Sequence, residues 1–188
     1  MKPTLTVKSL KIGFVSGFSP PMLDFDVGVG VHHLKGPNGV GKTTLLRTLC
    51  GELQPLAGNI TVCGLDPTSD YRARRHVAYL PASPEAPEFL TVDELWQNLA
   101  AIRGAPHWSG GALRERLGLA STLLLGQASS GQRRRAEFLA MLAGDPEVLL
   151  LDEVFTHLDA EFSTIVAELI ENRRTSRLVL ITSHQQLP

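Results

Sequence analysis

Residues 36–44 read GPNGVGKTT, and Gly36, Gly41, Lys42 and Thr43 stand at the spacing of a loop that cradles phosphate groups. The glycines let the backbone of Gly36, Pro37, Asn38, Gly39, Val40 and Gly41 curl until successive N–H groups point inward at phosphate oxygens. A helix beginning there adds the positive end of its dipole. Lys42 would reach the β- and γ-phosphates. Thr43, followed by Thr44, offers a hydroxyl to Mg²⁺, whose octahedral shell is otherwise filled by phosphate oxygens and water. A glycine-rich turn with a solvated lysine is the simpler account. The flanking strand-like VHHL at 31–34 and the helical spacing of Leu45, Leu46, Leu49, Cys50 and Leu53 favour nucleotide binding.

Two acids complete the chemistry that such a loop needs. VLLLDE at 148–153 places Asp152 at the carboxyl end of a buried strand, where parallel sheets bind ligands. Asp152 can hold Mg²⁺ directly or through water, opposite Thr43. Glu153 follows at the strand's exit, placed to accept a proton from an attacking water. A second run, ASSGQRRR at 128–135, opens a helix whose N-terminal N–H groups and hydroxyls at Ser129, Ser130 and Gly131 form another anion-binding surface. Finally, LVLITSHQQ puts His184 just past the last buried strand, positioned to donate to a γ-phosphate.

The elements that must position these groups can be read from period and punctuation. MLDFDVGVG at 22–30 alternates apolar and polar residues, as an antiparallel edge strand does. With LTV at 5–7, and ITV at 60–62 after a Gly58-Asn59 turn signal, it predicts a small antiparallel sheet. VAYL at 77–80, VLLL at 148–151 and LVLI at 178–181 are continuous apolar runs, as in parallel strands covered on both faces. The three prolines of PASPEAPEFL at 81–90 predict an irregular loop. Thr91 and Glu94 then form a capping box for a helix through Ile102 that ends at Gly104 and Pro106, and 112–125 reads as further short helices. A last helix carries Phe162, Ile165, Val166, Leu169 and Ile170 as an apolar stripe.

Composition narrows the class. A chain of 188 residues, 43 % hydrophobic and 20 % charged, can bury the core of one globular domain, and a net charge of −1 gives no basic footprint for nucleic acid. The basic runs Arg72–Arg75 and Arg133–Arg135 read as solvated faces. There is no stretch like a signal peptide and none near the ~20 apolar residues of a membrane span, so a cytoplasmic location is expected. Cys50 and Cys63 lack metal or redox spacing and read as small core residues.

In this order the motifs resemble the nucleotide-binding domain of ABC ATPases, over nearly the whole chain from the first sheet to His184. The resemblance implies an α/β P-loop NTPase fold of ABC type: a mainly parallel core sheet flanked by helices, a small antiparallel β subdomain and a helical insert. Residues 1–82 and 129–188 would form the ATP-binding core and 83–128 the insert. It also implies ATP and Mg²⁺ as ligands, with Glu153 and His184 catalytic. ASSGQ at 128–132 is similar to the family's signature, so that Ser129, Ser130, Gly131 and Gln132 would act on nucleotide held by a second subunit. FTHLD at 155–159, with Leu158 and Asp159, is similar to the D-loop. The implied assembly is a head-to-tail dimer, with itself or a homologous ATPase subunit, burying two ATP molecules. Phe14 or Phe18 would stack on adenine, although either serves equally well as a core residue.

The departures are specific. Ala82 stands where the family has a glutamine that reaches the metal and the attacking water, which weakens that link to the partner. Ala128 and Ser130 replace Leu and Gly in the signature, and Val154 replaces the Pro after the catalytic Glu. The leading functional expectation is an ATPase subunit, peripheral on the cytoplasmic face of a membrane, that drives separate permease subunits and uses no nucleic acid. SSGQRRR, TSHQQLP and the compact length resemble the ATP-binding subunits of small exporters, the haem exporter of cytochrome c maturation among them. The alternatives are a soluble mechanical switch on nucleic acid or in cofactor assembly, and a weakly hydrolysing regulator.

Overall fold

The computed structural model describes residues 4–13, 20–156 and 158–182. Phe14, Phe18 and His184 lie outside them. Strand β1 (Leu5–Lys11) lies between β2 (Leu23–Val27) and β4 (Ala57–Val62), both antiparallel to it. The second sheet is fully parallel, in the order β3 (Gly30–Leu34), β7 (Leu178–Thr182), β6 (Val148–Leu151), β5 (Val77–Leu80). The helices are α1 (Lys42–Leu49), the single turn α2 (Tyr71–Arg74), α3 (Val92–Ile102), α4 (Gly111–Arg116), α5 (Ser130–Met141) and α6 (Ala160–Glu171).

The parallel sheet separates two cores, and the two-residue period of its strands assigns side chains to each. Val148, Leu150, Leu178 and Leu180 face α1 and the antiparallel sheet. Leu149, Leu151, Val179 and Ile181 face a layer that includes Val92 and Leu95 of α3, Phe138 and Leu139 of α5, and Phe162 and Val166 of α6. Phe138 and Phe162 meet edge to face at 5.5 Å. Covering both faces is why these strands read as unbroken apolar runs. Their carboxyl ends deliver Asp152, Pro81 and Thr182 to one edge of the sheet, next to the loop that precedes α1.

Several expectations are corrected. Gly58 and Asn59 do not form a turn: they lie inside β4, with Asn59 opposite Lys8, where the register with β1 shifts. Gly58 has φ +85°, and a Cβ there would sit 2.2 Å from the Ser9 carbonyl oxygen, so glycine permits a bulge. Helix α1 stops a turn before Leu53. Gly51 at φ +78° lets its own N–H reach Thr48 O (3.1 Å) and that of Glu52 reach Arg47 O (2.9 Å), the two bonds of a glycine helix stop. The stretch 112–125 yields α4 and little more helix, with a three-residue turn following at Leu125–Gln127. Cys63 is exposed, while Cys50 is partly buried and burial pushes its thiol up to about 11. Arg134 is buried within its basic run, for reasons given below.

Candidate nucleotide site

The phosphate loop joins β3 to α1. Gly39 and Gly41 take φ values of +76° and +100°, and Gly41 caps α1 without a side chain, which leaves the first-turn N–H groups open to an anion. Lys42 is 8 % exposed, and its ammonium donates to Gly36 O (2.7 Å) and Pro37 O (3.0 Å). It therefore sits folded over its own loop.

Asp152 is the hub. It is 1 % exposed and accepts hydroxyl bonds from Thr43 on Oδ2 and Thr182 on Oδ1, each at 2.6 Å, with the Tyr79 hydroxyl 3.4 Å from Oδ2. Burial pushes the Tyr79 phenol well above its ordinary value, so it stays a donor. Thr182 also accepts the N–H of Glu153 at 2.9 Å. Glu153 itself has φ +48°, a left-handed conformation that costs a non-glycine residue about 1–2 kcal/mol. Thr43 and Asp152 supply oxygen donors only, which suits Mg²⁺. Among the described residues no group of three or more His, Cys, Asp or Glu could cage a metal.

A second group forms at the start of α5. Ser129 is the N-cap: its hydroxyl accepts the N–H of Gln132 (3.2 Å), and the Gln132 side chain accepts the N–H of Ser129 (2.9 Å). The N–H groups of Ser130 and Gly131 have no partner among the described residues. Asp159 caps α6, accepting from Phe162 N (2.8 Å) and from Arg135 of α5 (2.8 Å). Ser130, Gly131, Leu158, Asp159 and Ala82 line one cleft of about 320 Å³, which includes none of residues 36–44. The predicted residues thus fall into two surfaces: 36–44 with Asp152 and Glu153, and 129–132 with Leu158 and Asp159.

Sequence reasoning missed four contributors. Thr182 and Tyr79 end or interrupt apolar runs with a hydroxyl, a signal readable in LVLIT and VAYL. Arg134 and Glu137 carried no signal, since burial of a charged pair on a helix is decided by the chain packed against it.

A sequence profile described as ABC transporter matches residues 23–156. The chain is 33 % identical over 194 residues to "Nod factor export ATP-binding protein I" of Ralstonia nicotianae, covering 97 % of this chain and 60 % of that one. It is 33 % identical over 174 residues to "Cytochrome c biogenesis ATP-binding export protein CcmA" of Cupriavidus pinatubonensis, covering 88 % and 76 %. The solved "ATP binding subunit of ABC transporter" superposes with a TM-score of 0.84 at 24 % identity, over 96 % of this chain and 79 % of that one.

Proposed function

The chain belongs to the ABC transporter family, and from that premise we propose that it binds and hydrolyses MgATP as the energy-supplying subunit of a membrane transporter. The observation that carries the reading is the meeting of Thr43 and Asp152 at 2.6 Å beside the phosphate loop, with Glu153 next in sequence. Loop N–H groups and the α1 dipole receive the phosphates. Lys42 exchanges the Gly36 and Pro37 carbonyls for the β- and γ-phosphate oxygens. Bound Mg²⁺ would neutralise charge that develops on those oxygens, with Thr43 and Asp152 as its protein-side donors. Glu153 takes a proton from the water whose oxygen attacks the γ-phosphorus, and the bond to the β-phosphate oxygen breaks to give ADP and inorganic phosphate. His184 would donate to the γ-phosphate.

The surface at Ser129–Gln132, separate from the phosphate loop of the same chain, supports action on nucleotide held by a second copy or a homologous ATPase subunit. Membrane permease subunits are the expected partners, a reading supported by relatives that are named as ATP-binding export proteins. The subunit would work at the cytoplasmic face of a membrane. Ala82, lacking the amide of the family's glutamine, favours slow hydrolysis in isolation. Steady-state ATPase assays with and without co-purifying membrane subunits test the reading. Hydrolysis stimulated by those subunits is expected, and an absence of MgATP binding would overturn it.

A further inference from the structure

Three neighbouring side chains of α5 grip one irregular stretch of backbone. Arg133 donates to Glu88 Oε1 (2.9 Å) and to Ala86 O (3.3 Å). Arg134 donates to Pro81 O, and its other terminal nitrogen lies 3.4 Å from Asp152 O. Glu137 Oε1 accepts the N–H groups of Glu85 (2.7 Å) and Ala86 (2.6 Å). Arg134 and Glu137 are only 7 % and 8 % exposed. Burial lowers the guanidinium's basicity and raises the carboxyl's, each opposed by the other's charge.

Buried charges are costly unless bonded, and here they are bonded mainly to backbone. Residues 81–90 belong to no strand or helix, so α5 supplies the partners that fix their course. The far side of the stretch is held too, because the Glu85 carboxylate pairs with Arg47 of α1. Arg134 spans the ends of β5 and β6, the second of which carries Asp152. Between these anchors Ala82 is exposed and contributes a single methyl.

We propose that Arg134 and Glu137 are positioning residues that transmit nucleotide occupancy at Asp152 to the loop 81–88 and to α5, a task for which the side chain of Ala82 is too short. The proposal rests on the MgATP reading above. Arg134 ties the metal-side strand end to the loop, and Glu137 makes the loop travel with the helix whose N-terminus is the signature surface.

Hydrogen exchange of the full chain, with and without saturating MgATP, tests the link alongside steady-state kinetics. In the unmodified protein MgATP should slow exchange over 81–88. Glu137→Ala should abolish that response and lower kcat by about 10- to 100-fold with KM unchanged, the effect of misplacement without lost binding. Glu137→Gln, which keeps an acceptor oxygen at the same reach, should restore most of both. If Glu137→Ala does not fold, Arg134→Lys carries the test: it keeps the charge but loses the planar fork that spans two carbonyls, and should show the same kcat loss at constant KM. A Glu137→Ala protein that melts lower yet retains kcat and the exchange response has lost only packing, and the link is overturned. MgATP binding without any exchange response over 81–88 overturns the link alone. Failure of the unmodified chain to bind MgATP overturns the ATPase reading and the link together.

Discussion

Thr182 donates its hydroxyl to Asp152 Oδ1 at 2.6 Å and, through the same oxygen, accepts the N–H of Glu153 at 2.9 Å. One side chain on β7 thereby fixes both acids at the end of β6. Thr182→Val keeps the branched shape and deletes these bonds, leaving a buried carboxylate oxygen and a backbone N–H without partners. The expected cost is about 1–3 kcal/mol of unfolding free energy, measured by urea titration, with weaker Mg²⁺ dependence of nucleotide binding. A variant as stable as the parent would show that water replaces the hydroxyl.

Lys42→Ala removes the cation that the loop holds beside Gly36 and Pro37. Tight MgATP binding should be lost while the fold persists, because among the described residues the ammonium bonds only to its own loop. Titration with a fluorescent nucleotide reads the effect, and unchanged affinity would reject the assignment of the loop.

Ser129→Arg separates the two surfaces. It removes the N-cap of α5 and should cost about 0.5–2 kcal/mol of stability. Nucleotide binding by the monomer should remain nearly intact while hydrolysis stops, since the damaged surface serves the opposite site. Equal loss of both would place Ser129 in its own chain's pocket.

Glu153→Gln retains size and a hydrogen-bonding oxygen but cannot accept the proton. Hydrolysis should fall by the ~10²–10⁴ of a lost general base. Intact ATP should then stabilise the associated form by mass action, giving MgATP-dependent dimers in light scattering that Lys42→Ala does not form. Inactive, ATP-bound protein that stays monomeric at every concentration would retain the base and discard the head-to-tail dimer.

What was legible in the sequence was what local rules decide. The phosphate loop and the capping box at Thr91 are stretches of a few residues whose chemistry is self-contained, and the parallel strands announced themselves because burial on both faces leaves no polar alternation. The end of α1 is not legible in the same way, because Leu53 keeps the helical spacing while Gly51 ends the helix. Gly58-Asn59 has the composition of a turn, and only pairing with Lys8 makes it a bulge. Arg134 sits in an arginine triplet that looks solvated; the carbonyls that bury it come from Pro81 and Asp152, elsewhere in the chain.

The left-handed backbone of Glu153 sets stability and turnover against each other. Glycine adopts φ +48° freely and asparagine more readily than glutamate, so Glu153→Gly or Glu153→Asn should relieve about 1 kcal/mol of strain. Selection of a mutant library for heat resistance alone should therefore enrich variants at this position that melt higher and hydrolyse nothing. Selection that also demands turnover should hold glutamate there against that gradient, so a position favoured by one screen and forbidden by the other would mark the site without any nucleotide being added.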